Sequence, residues 1–571
     1  MRILNMQRLI AVAQGDAPAD LVLTNARIVN TFTGEIEQGN VAIYGGRIAG
    51  VGDYTEARQV LDLEGRYLAP GLIDGHFHLE SSMLHVDQYA RAVGPHGTLA
   101  AVTDLHEIAN ACGLPGMRYI LECSRRVPMD MFFMAPSCVP TTNMETSGAS
   151  LGPADIHKAL RWKGVLGLGE MMNFPGVINA DPETLARIDA AGDMIKDGHA
   201  PGVTGRVLNA YLVPLIGSDH ESTTFVEGQE KLRRGMRLMI REGSVEKNLE
   251  DLLPLVNHGN YHRCMLVVDD RNAKDIYYDG DVDAVVRKAI GLGLDPVRAV
   301  QMASLNVAEY FRLPGLGGIG PGYFANLLVL DDLDRFHIQQ VYYRGRLVAR
   351  DGRPLFQPRL RPNPAMTRTM NMKPFPVEAL TLRSGASDTF PIIEVVPGQI
   401  VTRRKEERIP RQNGTIAADP SRDLLKLVVV ERYHATGNIG LGLVKGFGMK
   451  RGAIGTSIAH DSHNIVAVGV SNQDISTVIQ EIVRNQGGLA AADGGRVLES
   501  LALPIAGLLS EEPLEMVVAQ IGKLEKAATD MGCTAPSPYS VLSFLALPVI
   551  PELKLTDMGL VDVLNMRLLK V

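Results

Sequence analysis

The chain has 571 residues, with 57 Lys and Arg against 64 Asp and Glu for a formal net charge of −7. That balance, without a long basic block, excludes the electrostatic footprint of a nucleic-acid binder and directs attention to a small-molecule substrate. The five cysteines (Cys112, Cys123, Cys138, Cys264 and Cys533) contain no CxxC pair, which excludes a disulfide framework and a cysteine zinc knuckle, and no apolar run is long enough to span a bilayer. A cytoplasmic, soluble chain of two to three domains, with no membrane partner, is expected.

From Ala19 to Gly52, short β-branched runs broken by Thr-Gly, Gly-Asn and Gly-Gly predict meandering antiparallel strands, and the same texture returns from Gly322 to Gly352. Residues 1–69 and 316–365 are therefore expected to form one composite β-sandwich built from both flanks. Between them, apolar runs of four to seven residues alternate with helical stretches such as "PETLARIDAAGDMIKDG" and "QEKLRRGMRLMIREGS". This alternation predicts an α/β fold, a metal-dependent TIM-type (β/α)8 barrel over residues 70–315. A proline-containing, non-periodic stretch from Gln357 to Met372 reads as a linker into an additional C-terminal α+β domain, residues 375–571.

The first barrel strand ends in "GLIDGHFHLESS", Gly71 to Ser82. Side chains two apart on a strand share a face, so His76 and His78 project together at a strand terminus, where this kind of barrel builds its active site. Later strand candidates also end in metal-type residues: Asp104, His106 and Glu107; Glu170; His199; Asp219, His220 and Glu221; then, after Arg241, Asp269 and Asp270. Taken together, imidazoles and carboxylates around one barrel mouth suit zinc, iron or manganese.

The chain resembles the adenine deaminases of the amidohydrolase superfamily. The likeness lies in "PGLIDGHFHLESSML", "HEIAN", "GLGEMMNFPGVI", "DGHAPG", "SDHE", "GMRLMIREGS" and "DDR", and in the tail in "ERYHATGNIGLGLVKGFGMKRGAI", "AHDSHNIV" and "LALPVIPELKLTD". It departs at Leu105, where the family commonly has "ADPHEIAN", and at Leu99-Ala100, where threonines are usual. The resemblance implies two divalent ions per chain, manganese first and iron or zinc as alternatives. His76, His78 and Asp269 would hold one ion and His199 and His220 the other, with Glu170 as the bridge. Asp269, Glu170 and His220 are the catalytic candidates, with Asp269 as proton carrier. Asp270 would orient the purine, and Glu80, Ser81 and Glu107 would lie near its ring nitrogens or support the ligands. The expected reaction is hydrolytic deamination of adenine to hypoxanthine and ammonia.

In the tail, His434, His460, Asp461 and His463 leave three readings open: a lid on the substrate pocket, a third metal site, or a turn of solvated histidines. The glycine-rich "GNIGLGLVKGFG" lacks a GKS or GKT ending, which argues against a phosphate loop. The rival enzyme is a cyclic-amide hydrolase such as a dihydroorotase or hydantoinase, which calls for a bridging lysine where Glu170 stands; deamination of a related aminopurine is a second alternative. A cytidine-deaminase type is excluded, since no HxE followed by PCxxC occurs. A metal-stabilised scaffold without activity would have lost ligands, and none is missing. Apolar strands in the tail suggest a homodimer.

Overall fold

The computed structural model describes residues 3–357, 363–383, 389–409 and 414–569. An N-terminal helix, Ile3–Gln14, lays Leu9 and Val12 against the first sheet. Strands β1 (Ala19–Asn30), β2 (Glu35–Tyr44) and β3 (Arg47–Gly52) form the expected antiparallel meander, while β4 (Ala57–Asp62) and β5 (Tyr67–Pro70) both run parallel to β1.

Eight strands follow, seven of them at the places where the sequence ends an apolar run in a polar residue and the eighth, at Asp130–Ala135, between them. Strands β6 (Leu72–Phe77), β7 (Thr98–Asp104), β8 (Asp130–Ala135), β9 (Val165–Met171) and β10 (Ile195–Gly198) make one parallel sheet in chain order; β11 (Ser218–Asp219), β12 (Arg237–Arg241) and β13 (Cys264–Val267) make a second. The two sheets meet at both edges. Gly217 N–H donates to Lys196 O at 2.8 Å beside β10, and Asp269 N–H donates to His76 O at 3.0 Å beside β6. Strands such as β7, buried at every residue, are covered on both faces, which is why the sequence shows continuous apolar runs there rather than alternation.

Strands β14 (Leu327–Asp332), β15 (His337–Tyr343), β16 (Arg346–Arg350) and β17 (Arg353–Pro354) then join the first five in one nine-stranded sheet, because β14 pairs antiparallel with β5. Of the expected linker, residues 358–362 lie outside the described residues. From Met366 onward the chain already packs on the C-terminal part: Ala506 N–H donates to Met366 O at 2.6 Å, and Arg432 Nη1 donates to Thr369 Oγ1 at 3.2 Å.

The C-terminal part is built on an eight-stranded, mostly antiparallel sheet. Helix Asn472–Arg484 starts where Ser471 Oγ accepts Asp474 N–H at 3.0 Å. Its Ile475, Val478, Ile479 and Ile482, at helical spacing, pack onto Val428, Val430, Ile465 and Ala467 of the sheet. Each such side chain contributes about 1.5–3 kcal/mol of burial. The glycine-rich stretch is the strand Ile439–Lys445 of this sheet, so its glycines serve packing rather than phosphate. Among the described residues, no helix is long and apolar enough to cross a membrane.

Candidate metal centre and active site

The strand ends are held by groups beneath them. Gly169 leaves room for Asp104, whose Oδ2 would lie 1.9 Å from a Cβ at that position; Asp104 Oδ2 then accepts Glu170 N–H at 2.8 Å and fixes the start of the glutamate. Tyr211 Oη accepts His199 N–H at 3.0 Å. Lys231, fully buried, donates to Ala200 O at 2.6 Å, Asp219 Oδ2 at 2.9 Å and Glu227 Oε1 at 2.8 Å, tying together the chain beside His199 and beside His220. Asn248 completes the support: its Nδ2 donates to His220 O at 3.1 Å and its Oδ1 accepts Arg241 N–H at 2.8 Å.

On this frame His76, His78, Glu170, His199, His220 and Asp269 converge, all buried. Glu170 divides its oxygens. Oε1 lies 3.3 Å from His78 Nε2 and 3.9 Å from His76 Nε2, while Oε2 lies 2.7 Å from His199 Nδ1 and 3.2 Å from His220 Nε2. Asp269 Oδ1 faces His78 Nε2 at 3.2 Å and His76 Nε2 at 3.6 Å. Burial acts to raise the Glu170 carboxyl, but the imidazoles of His220, His199 and His76 outweigh it and hold it well below the usual carboxylate range. Burial likewise acts on Asp269, and the Arg241 guanidinium with His78 and His76 holds its carboxyl down too.

The donor chemistry fits a divalent cation. Ligand atoms of His76, His78 and Asp269 lie within 4.8 Å of one another, as do those of His76, Glu170 and His220, and those of His199, His220 and Glu221. Among the described residues the buried His76 Nε2 has no hydrogen-bond partner, a costly state for an imidazole nitrogen unless a cation takes its lone pair.

The expected purine contacts fall in two places. Ser81 Oγ donates to Asp270 Oδ1, and this pair lines a cavity between the strand ends and the C-terminal part. Glu80, by contrast, is taken up by the helix His106–Ser124: its Oε1 accepts Ile108 N–H at 3.1 Å, and burial beside Glu107 pushes its carboxyl up to about 7. Asp269 and Asp270 do not follow the regular strand alternation expected of neighbours. Strand β13 stops at Val267, and Asp269 sits in the left-handed region at φ 63°. A bend, rather than the pleat, sends one carboxylate to the imidazoles and the other to Ser81.

His460 and His463 are buried rather than solvated, whereas His434 is exposed. His460 Nδ1–H donates to Glu107 Oε1 at 2.7 Å, His463 Nε2 lies against Glu107 Oε2, and Asp461 Oδ2 accepts Thr141 Oγ1–H at 2.5 Å, all buried. His463 Nδ1 accepts Ala459 N–H at 3.1 Å, so the proton sits on Nε2 and no lone pair there is free for a third metal. Burial opposes charge on His460, and Glu107 and Asp270 outweigh it, lifting the imidazole to about 10. His434 stands apart, with Nε2 against Ser147 O at 2.9 Å.

Three residues at strand ends acquire places that the sequence did not assign. His106 Nδ1 lies 3.6 Å from Glu170 Oε1, Glu221 Oε1 lies 3.3 Å from His220 Nε2, and Arg241 grips Glu221. The signal was the "HE" pair at 106–107 and the "DHE" triplet at 219–221; side-chain direction was what the sequence lacked.

Buried imidazole and carboxylate donors at the ends of parallel strands define the class as amidohydrolase, and the model of the Amidohydrolase family matches residues 67–348. That of the Adenine deaminase C-terminal domain matches residues 399–567. Adenine deaminases of Dehalococcoides mccartyi (strain ATCC BAA-2266 / KCTC 15142 / 195) and Desulfatibacillum aliphaticivorans are 54% and 49% identical, over 99% of this chain and 99% of the relative and over 97% and 98% respectively. That of Methanothrix thermoacetophila is 44% identical over 98% of each. The chain belongs to the adenine deaminase family.

Proposed function

We propose that the protein hydrolyses adenine to hypoxanthine and ammonia, using two divalent ions, manganese first, at the mouth of a closed barrel formed by strands β6 to β13. The observation that carries this reading is the division of Glu170, one oxygen to each pair of imidazoles, on a chain whose relatives are named adenine deaminase. The barrel reading is supported by the hydrogen bonds at both sheet edges, and the composite β-domain by the pairing of β5 with β14. The cysteines, all free, accord with a cytoplasmic setting.

His76, His78 and Asp269 would hold one ion, His199 and His220 the other, and Glu170 would join both. The cations supply positive charge that lowers the pKa of a water molecule towards neutrality and so furnishes a nucleophile. Asp269 receives the water proton on Oδ1, while Arg241 holds Oδ2 in place. The water oxygen bonds to C6 as Asp269 passes that first proton to N1; the remaining hydroxyl proton then follows through Asp269 to the departing amine, and the C6–N6 bond breaks to leave C6=O and ammonia. Asp270, oriented by Ser81, holds a purine edge, and Glu107, with its oxygens against His460 and His463, supports the pocket from behind.

The test is a panel of adenine, adenosine, dihydroorotate and hydantoin with manganese-loaded protein, following ammonia and ultraviolet absorbance. Adenine alone is expected to react. Turnover of either cyclic amide at a comparable rate, or inertness towards adenine, overturns the proposal.

A further inference from the structure

The cavity beside Asp270 is closed on its far side by the C-terminal part, through His460, Tyr539 and Phe544. His460 is fastened from two directions. Its ring stacks on Phe544 with centroids 4.4 Å apart at 15°, and Nδ1–H donates to Glu107 at 2.7 Å. Glu107 sits at the start of a barrel helix, 353 positions away in the chain, and is itself held from behind by His463. Among the described residues nothing pairs with His460 Nε2, although the residue is buried and lines the cavity.

A carboxylate behind Nδ1 fixes the ring's orientation and leaves Nε2 as the working nitrogen, which is how buried imidazoles are aimed at a ligand. The wall around it brings the aromatic side chains of Phe544 and Tyr539 together with the polar groups of Ser81, Asp270 and Glu246, a lining that suits a heteroaromatic ring. Glu246 reinforces this: among the described residues neither of its buried carboxyl oxygens has a hydrogen-bond partner, a state that a ligand with hydrogen-bonding edges would relieve.

Resting on the purine reading above, we infer that His460 is a substrate-binding residue contributed by the C-terminal part, its Nε2 hydrogen-bonded to a purine ring nitrogen and its orientation set by Glu107. The C-terminal part then completes the active site, and the barrel alone would lack one wall of the pocket. Glu107 acts through His460 as a positioning residue.

The experiment uses full-length, metal-loaded enzyme and two probes: adenine for turnover and hypoxanthine for equilibrium binding by calorimetry. Wild-type enzyme inert towards adenine sinks the functional reading itself; the remaining arms bear on His460 alone. His460→Gln and His460→Ala are expected to keep the wild-type metal content, to weaken hypoxanthine binding about tenfold or more, and to lower kcat/KM by roughly 10²-fold. Glu107→Gln should produce the same pattern, and the double variant should lose little more than either single one. If the His460 variants do not fold, Glu107→Gln decides. Unchanged hypoxanthine affinity in a folded variant, loss of metal along with activity, or fully additive losses in the double variant would each overturn the inference.

Discussion

Arg241 grips Glu221 with both terminal nitrogens, Nη1 to Oε1 at 2.6 Å and Nη2 to Oε2 at 2.9 Å, and turns Nη1 also to Asp269. The pair is buried, and Glu221 in turn stands beside His199 and His220. Removing one partner of a buried ion pair strands the other charge, a loss of roughly 3–5 kcal/mol. Arg241→Met is therefore expected to lower the melting temperature clearly, and Arg241→Lys less so, because lysine keeps the charge but not the two-pronged geometry. Both should lose activity, since Asp269 loses its anchor. Thermal melts with parallel rate measurements check this; an Arg241→Met enzyme that melts and turns over like wild type would contradict the role.

Glu170→Gln keeps the size of the side chain and removes the charge between the two imidazole pairs. The variant is expected to fold, to retain fewer ions than the two expected of the wild type, and to lose most of its activity. Elemental analysis of both proteins is the measurement. One ion per active wild-type chain, or a fully active glutamine variant, would count decisively against a bridging glutamate.

The bend at Asp269 sends two neighbouring carboxylates to different partners, Asp269 to the imidazoles and Asp270 to Ser81. Asp269→Asn should lower kcat by roughly 10²–10⁴, the range that general acid–base catalysis supplies, and weaken metal binding as well. Asp270→Asn should leave the metal content unchanged and act chiefly on kcat/KM through positioning. If metal is lost from the Asp270 variant and retained in the Asp269 variant, the two assignments exchange.

His85 provides a pH signature of stability away from the centre. Its Nδ1–H donates to Asp87 Oδ1 at 2.5 Å and Nε2 meets Tyr119 Oη at 3.1 Å. Burial opposes the charged ring, and Asp87 with the Cys123 thiol outweighs it, lifting the imidazole to about 9. The folded value lies above the ordinary one, so the stabilisation, about 3 kcal/mol, is complete below pH 6.5 and is lost as pH rises through about 9. The gap in melting temperature between wild type and His85→Gln is expected to be widest near pH 6 and to narrow by about pH 9.5. A gap constant across that window would refute the assignment.

Strand periodicity and barrel topology made much of the centre readable in advance. His76 and His78 are two apart, Glu170, His199 and His220 close three further apolar runs, and each was placed by the rule that parallel strands deliver their terminal residues to one mouth. Local rules reached their limit at β13, because the sequence of "VVDDR" carries no sign that the strand ends at Val267 and that the backbone turns left-handed at Asp269. Glu80 shows the same limit: next to the histidines in sequence, its carboxylate goes to a helix start instead.

The sequence by itself therefore determined the types of buried donor and their order around the mouth, because these follow from residue identity and short-range spacing, and its motifs carried the resemblance to the family. Only the tertiary structure decided which oxygen of Glu170 meets which histidine, that Arg241 secures Glu221 and Asp269, and that Glu107 meets His460 and His463. Those relationships join side chains tens to hundreds of residues apart, and the direction of each side chain is fixed by packing and by the hydrogen bonds available at the burial site. A local pattern encodes neither.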